Sequence, residues 1–354
     1  MKLITILGAR PQFIKAAPVS RALKEDFQEI LLHTGQHYDF EMSKIFFDEL
    51  ELKHPDVNLG IQSSNHGEQT GLMLAGIERV LLDERPDAVL VYGDTNSTLA
   101  GALAAVKLQI PVFHVEAGLR SFNMTMPEEI NRILTDRVSE LLFCPTLTAV
   151  DNLRAEGIEE GVFLTGDVMY DAVIHNSGLA DKKTEVLENL AVSSGDFYLA
   201  TIHRPVNTES QKNLEGIITG LGSLDSVVII PLHPRTRIAI DRFEIQLADN
   251  IRPVDPVGYL DMLTLEKNAL KIITDSGGIQ KEAYFFGVPC ITLRDETEWV
   301  ETIETGWNRL TGADPDRIIE AVKSPKPSGE RPQLFGDGKA AEKIVEFIKQ
   351  EYLQ

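Results

Sequence analysis

The sequence predicts an α/β protein built from two doubly wound parallel-sheet units. Three observations predict it. Short apolar runs bounded by Gly, Pro or Asp alternate with segments of helical spacing through nearly the whole chain. The 354 residues exceed what one common core serves, so two domains are expected. The strand–helix register also restarts soon after Thr165-Gly166-Asp167-Val168, which puts a boundary at about residue 170.

Taken in order, Leu3–Leu7 reads as a first strand. Gly8-Ala9-Arg10-Pro11 turns it into a helix from about Pro11 to Lys24, with a kink or break expected at Pro18. Arg10 and Lys15 then lie at or just inside a helix N-terminus, where free N–H groups suit phosphate; alone, Lys15 reads more simply as an exposed helix residue. Glu29–His33 is a second strand. A polar loop follows at Thr34–Asp39, then a helix with Ile45, Phe46 and Leu50, and a polar connection over Asp56–His66. Glu68–Glu84 carries Leu72, Leu74, Ala75, Ile77, Val80 and Leu81 at helical spacing.

Ala88–Tyr92 and Val112–Val115 read as buried parallel strands. Each is followed by a carboxylate, Asp94 and Glu116. A third, Glu128 or Glu129, opens the helix after Pro127, and Arg120 and Arg132 are nearby. In an open α/β sheet the carboxyl ends of strands line the ligand crevice, so this stretch gathers acids at one rim. Acids so gathered suit proton transfer; the plainer reading is that Asp94 and Glu129 cap helices. Leu141–Phe143 and Val162–Leu164 are further strands, with a helix around Thr146–Glu156 between them.

In the second half, Asp181–Leu190 is a helix. The strands Phe197–Thr201, Val227–Ile230, Leu270–Thr274 and Pro289–Leu293 end at His203, His233, Asp275 and Arg294-Asp295-Glu296 respectively. Asp275-Ser276-Gly277-Gly278-Ile279-Gln280-Lys281-Glu282 follows a strand and opens a helix. Its glycines let an anion approach the backbone, Ser276 adds a hydroxyl, and Glu282 can accept from ribose hydroxyls. The plainer reading is a strand-to-helix turn with Ser276 as N-cap. Pro325–Gly338 is a connector and Lys339–Tyr352 a last amphipathic helix. The expected division is 1–170, 171–338, and 339–354 packing back on the first domain.

Composition narrows the partners. Net charge is −20, from 54 acidic and 34 basic residues, which argues against nucleic acid or an anionic membrane. Cys144 and Cys290 read as buried thiols in a reducing cytoplasm. No signal peptide or membrane span is expected. No HExxH, CxxC or zinc-like spacing occurs, so no metal requirement is expected.

GARPQFIKAAPV, HTGQHYD, VYGDTNSTLAG, HVEAGLRS, MPEEINR, ATIHRPVN, PLHPRT, TDSGGIQKEA and GVPCITLRDETEW occur in that order. Together they make the chain resemble the non-hydrolysing UDP-N-acetylglucosamine 2-epimerases over nearly its whole length. The resemblance implies a GT-B-like architecture of two Rossmann-like domains with an interdomain cleft, and a homodimer. It implies interconversion of UDP-N-acetylglucosamine and UDP-N-acetylmannosamine without a redox cofactor. It also implies roles. Asp94, Glu116 and Glu128 are the catalytic carboxylates, with Arg132 in the same group and His203 at the active site. Arg10 and Lys15 bind substrate and diphosphate, and Ser276, Gly277, Gly278 and Glu282 hold the nucleotide.

The sequence departs from the family pattern at named places. His203-Arg204-Pro205-Val206-Asn207 stands where many bacterial members read HRREN. Thr297-Glu298-Trp299-Val300-Glu301 stands for TERPE, so Trp299 replaces an arginine. Some bacterial members have a second, activating UDP-N-acetylglucosamine site. Gln36 and His37 match part of it, but Glu68 and Pro205 stand where basic residues are expected, so weak or absent activation follows. SFNMTMPEEINR and LRDETEW are also similar to a subgroup acting on UDP-2,3-diacetamido-glucuronate, the alternative substrate. A GT-B glycosyltransferase or a non-catalytic nucleotide-sugar sensor would share the fold.

Overall fold

The computed structural model describes residues 1–24, 26–35, 50–62 and 65–353; the side chain of Arg10 lies outside the described set. The expected helix around Ile45 and Phe46, and Gln36 and His37, also lie outside it. The chain divides into two compact units, 1–174 with 333–354, and 175–332.

In the first unit the elements are β1 (Lys2–Leu7), α1 (Arg10–Leu23), β2 (Gln28–His33), β3 (Val57–Asn58), α2 (His66–Glu84), β4 (Ala88–Tyr92), α3 (Asn96–Lys107) and β5 (Val112–Val115). They continue with α4 (Pro127–Val138), β6 (Leu141–Cys144), α5 (Leu147–Ala155), β7 (Val162–Leu164) and the start of α6 (Val168–Lys183). Among the described residues, seven strands pair in the order β3-β2-β1-β4-β5-β6-β7, with parallel neighbours. Ala88, Val89, Leu90, Val91 and Tyr92 are all fully buried, as a central parallel strand covered on both faces requires. Val89 and Val91 join Ile4, Ile6, Met73 and Ile77 in one core cluster.

The second unit holds α7 (Val186–Asn189), β8 (Phe197–Thr201), α8 (Pro205–Thr208), α9 (Gln211–Gly222), β9 (Val227–Pro231), α10 (Pro234–Arg242), β10 (Ile251–Val254) and α11 (Tyr259–Asn268). It continues with β11 (Lys271–Thr274), α12 (Gly277–Phe286), β12 (Cys290–Thr292), α13 (Val300–Glu304), β13 (Asn308–Leu310) and α14 (Pro315–Lys323). Its sheet order is β10-β9-β8-β11-β12-β13. Alternation along β8 feeds two cores: Tyr198 and Ala200 pack with Leu214, Ile217 and Ile318, while Phe197 and Leu199 pack with Leu265, Ile272 and Ala283.

Three local expectations are corrected. α1 runs as one helix through Pro18, so of the kink or break expected there the break does not occur: the lost amide costs a ladder bond without ending the element. The connection at 56–66 contains β3. A helix begins at Val168 rather than Asp181, because Val168, Met169, Ala172 and Val173 form a buried helical stripe. The last helix, α15 (Ala340–Tyr352), packs on α1 and is capped by Asp171, which accepts from the amides of Ala340 (3.1 Å) and Ala341 (2.8 Å). Among the described residues no helix is long and apolar enough to cross a membrane.

Candidate active site

In the first sheet the strand order reverses between β1 and β4, where a crevice opens at the carboxyl ends of an open α/β sheet. The residues after β1, β4 and β5 are those the sequence singled out. Gln12 joins two of these ends. Its Oε1 accepts from the amides of Gly8 (2.8 Å) and Ala9 (3.0 Å), and its Nε2 donates to the Tyr92 carbonyl (2.9 Å) and Thr98 Oγ1 (3.0 Å). Arg10 opens α1, and Lys15 lies in the second turn of that helix.

Charges of both signs meet here. Lys15 Nζ pairs with Glu116 Oε2, and Arg132 Nη2 pairs with Asp94 Oδ2. Gly93, immediately before Asp94, has φ +62° and runs so close to the first pair that a Cβ would lie 3.1 Å from both Glu116 Oε2 and Lys15 Nζ. Glycine meets both the backbone and the space requirement. Lys15 and Glu116 therefore meet beside the residue that precedes Asp94. Lys15 is thus not the exposed helix residue of the plainer reading.

The capping explanation of the acids fails for Asp94. Thr95 caps α3, its Oγ1 accepting from the Thr98 amide at 3.3 Å. Glu128 and Glu129 separate by burial. Glu129 is fully buried, accepts from the amides of Ser121 and Phe122 (2.9 and 2.8 Å), and holds Arg132 Nη1 at 2.8 Å. Glu128 is exposed in the first turn of α4. Glu129 therefore braces the loop and Arg132, and Glu128 is the carboxylate that solvent or a ligand can reach. Arg120 turns away from the rim, onto Asp136 (2.7 Å) and, through two bonds, Glu156 (2.6 and 2.8 Å).

The second sheet reverses order between β8 and β11, and the same rule applies. Asp275, directly after β11, is fully buried. It accepts from the amides of His203 (3.1 Å) and Arg204 (3.0 Å), from Asn207 Nδ2 (3.0 Å), and faces His203 Nδ1 at 3.0 Å. Burial alone would push its carboxyl up, but the bonds from His203, Asn207 and Arg204 outweigh it and hold the group below the ordinary carboxylate range. Asp275 thus fixes Nδ1 of the His203 ring, whose side chain is 41% exposed.

Ser276 occupies the N-cap of α12 but makes no side-chain capping bond, and no acid lies in the first helical turn. No acid of the helix itself offsets the dipole there, but the Glu298 carboxylate from the following loop lies against the same end. Gly277 lies against Glu298, whose Oε1 would be 2.5 Å from a Cβ there, so a larger residue would have to push that carboxylate aside. Glu282 is buried and accepts from the Tyr259 hydroxyl at 3.1 Å. Trp299, in the place of the family arginine, is buried with Lys281 Nζ 4.1 Å from its ring centroid.

Sequence reading missed Gln12, His114 and Asp275 as site-building residues. Asp275 had a signal, an acid directly after a strand. Gln12 and His114 had none beyond being polar at positions that fold inward. Among the described residues no group of three or more His, Cys, Asp or Glu is placed to hold a metal ion.

Two doubly wound parallel sheets, an acid-and-cation rim after the strands of one and a glycine turn opening a helix in the other make the architecture of an α/β enzyme for an anionic ligand. The family model for UDP-N-acetylglucosamine 2-epimerase matches residues 21–349, and the chain belongs to that family. A UDP-N-acetylglucosamine 2-epimerase homolog of Methanococcus maripaludis is 54% identical, covering 99% of each chain. The UDP-2,3-diacetamido-2,3-dideoxy-D-glucuronate 2-epimerase of Pseudomonas aeruginosa is 50% identical over 98% of this chain and 99% of that one. The crystal structure of Methanocaldococcus jannaschii UDP-GlcNAc 2-epimerase in complex with UDP-GlcNAc and UDP superposes with a TM-score of 0.92, at 47% identity, over 99% of this chain and 100% of that one.

Proposed function

We propose that this isomerase inverts C2 of UDP-N-acetylglucosamine to give UDP-N-acetylmannosamine, without hydrolysis. The observation that carries the assignment to residues is the two ion pairs, Lys15 with Glu116 and Arg132 with Asp94, at the carboxyl ends of β4 and β5. The C2 hydrogen of an acetamido sugar is weakly acidic, so removing it needs a base at C2 and an easy exit for the group at C1. A carboxylate, Asp94 or Glu116, takes the C2 proton while the C1–O bond breaks and UDP leaves with that electron pair, giving a glycal. UDP then adds back to C1, and Glu128 or its partner acid delivers a proton to the opposite face of C2.

The departing diphosphate gains negative charge. In the first unit Arg10 and Lys15 supply cations suited to such a group; in the second, Ser276, Gly277 and Gly278 at the start of α12 supply N–H and hydroxyl donors suited to a phosphate. Glu282 takes the ribose hydroxyls, and His203, oriented by Asp275, moves a proton at the leaving oxygen. The enzyme works as a cytoplasmic homodimer. Two buried free cysteines and the exposed apolar Phe122, Met124, Ile130 and Leu134 support that reading, which light scattering tests.

Incubation with UDP-N-acetylglucosamine in deuterated water is the direct test. An epimerase places label at C2 and produces a second diastereomer; a glycosyltransferase or sensor does neither. Asp94→Asn should lower C2 exchange by at least about 100-fold, and near-normal exchange removes Asp94 from the mechanism. The 50% identity to the P. aeruginosa enzyme favours a second substrate reading, the 2,3-diacetamido-glucuronate. Running both nucleotide sugars side by side decides between them by kcat/KM.

A further inference from the structure

We propose that His114 is a positioning residue of the carboxylate rim: its imidazole ties the Gly93 carbonyl to Asp136 and so fixes the turns that carry Asp94 and Glu116. The role rests on the epimerase reading only for the chemistry that the rim performs.

His114 lies in β5 between Phe113 and Val115 and is fully buried. A polar ring in an apolar strand must have partners, because burying it unsatisfied forfeits its hydration with nothing in return. Its Nε2 is 2.8 Å from the Gly93 carbonyl and its Nδ1 2.7 Å from Asp136 Oδ1. A carbonyl only accepts, so Nε2 carries a hydrogen and donates. The other oxygen of Asp136 accepts from the Gly118 amide (3.1 Å) and from Arg120 Nη1 (2.7 Å). The path Gly93–His114–Asp136–Gly118 thus runs from the residue before Asp94 to the residue two after Glu116.

The turn it holds needs holding. Glu116 has φ +71°, a left-handed conformation that strains a non-glycine residue. Both the Glu116 and Ala117 amides donate to one carbonyl, that of Phe143, at 3.1 Å. Such a backbone persists where its surroundings over-determine it. Asp136 also lies on α4, the helix that presents Arg132 to Asp94. One imidazole therefore sets the relative placement of both candidate bases. A leucine at 114 would fill the strand and bond neither turn.

The test uses His114→Gln and the volume-conserving Asp136→Asn, with Glu156→Gln as a control that touches Arg120 from its far side. In the folded variants at the two clamp positions, kcat should fall roughly 30- to 100-fold with KM for the UDP-sugar within about threefold, since misplacement by about 1 Å costs rate on that order. Amide hydrogen exchange at residues 116–118 should quicken at least tenfold, on the order of 1.4 kcal/mol of local opening. Glu156→Gln should stay near wild type. Wild-type kcat in either folded clamp variant, unchanged exchange at 116–118, or an equal loss in Glu156→Gln overturns the proposal. If neither variant folds, the wild-type amides decide: protection of Gly93, Ala117 and Gly118 at the level of β4 and β5 supports the clamp, and loop-like exchange overturns it. If the wild type epimerises no UDP-2-acetamido sugar, the functional reading has failed, and the exchange measurement alone decides the clamp.

Discussion

At the scale of single residues, two of the candidate acid–base groups are each paired with a buried one that sets their direction. His203 faces solvent through Asp275, and Asp94 is held by Arg132, which Glu129 braces in turn. This arrangement predicts that a buried partner can matter as much as the group it orients. Asp275→Asn is the sharpest case. Both oxygens of Asp275 accept, from the His203 and Arg204 amides, from Asn207 and from His203 Nδ1. An amide there must turn an NH2 toward one set of donors, costing about 1–3 kcal/mol. We expect kcat to fall on the order of 100-fold while affinity for UDP changes little. Steady-state kinetics with UDP titration calorimetry checks this; unaltered kcat would mean that His203 needs no orientation.

At the scale of elements, the strands missed from sequence share one property. β3, β10 and β13 are three of the four sheet edges among the described residues. An edge strand is solvated along one side, so Val57-Asn58, Ile251–Val254 with its Pro253, and Asn308–Leu310 lack the continuous apolar run that marks the central strands. Central strands are legible because burial on both faces leaves no choice of residue.

The junction of α6 with α15 carries a pH prediction of its own. Burial pushes the Asp171 carboxyl up to about 6, with Asp167 and Asp337 adding to the rise, although the amides of Ala340 and Ala341 pull it down. The folded chain therefore keeps that proton to a higher pH than the unfolded chain, whose carboxyl titrates near 3.9. The stabilisation is complete below about pH 4, is lost as pH rises toward about 6, and changes no further above it. Asp171→Asn removes the titration. The difference in unfolding free energy between wild type and variant should shift in the variant's favour by up to about 3 kcal/mol across that window. Urea unfolding of both proteins between pH 4 and 7.5 measures it, and a constant difference would count against the assignment.

At the scale of the whole molecule, what sequence could reveal follows from topology. In an open α/β sheet the crevice residues sit directly after strands, so the candidates Asp94, Glu116, His203 and Ser276 announce themselves by position. His114 lies within a strand and Gln12 within a helix, and only three-dimensional packing turns them toward the rim. Residues 68 and 205 extend the same logic to regulation. An activating second UDP-sugar would bring a diphosphate, and a diphosphate requires cations. Glu68 is exposed in the first turn of α2, where an acid repels it, and Pro205 is exposed at the start of α8, where no charge attracts it. Initial rates should therefore rise hyperbolically with UDP-N-acetylglucosamine, with a Hill coefficient of about 1. UDP-N-acetylmannosamine should also turn over without added UDP-N-acetylglucosamine. Sigmoidal kinetics, or a reverse reaction that starts only after priming, would show that a second site is assembled from other residues.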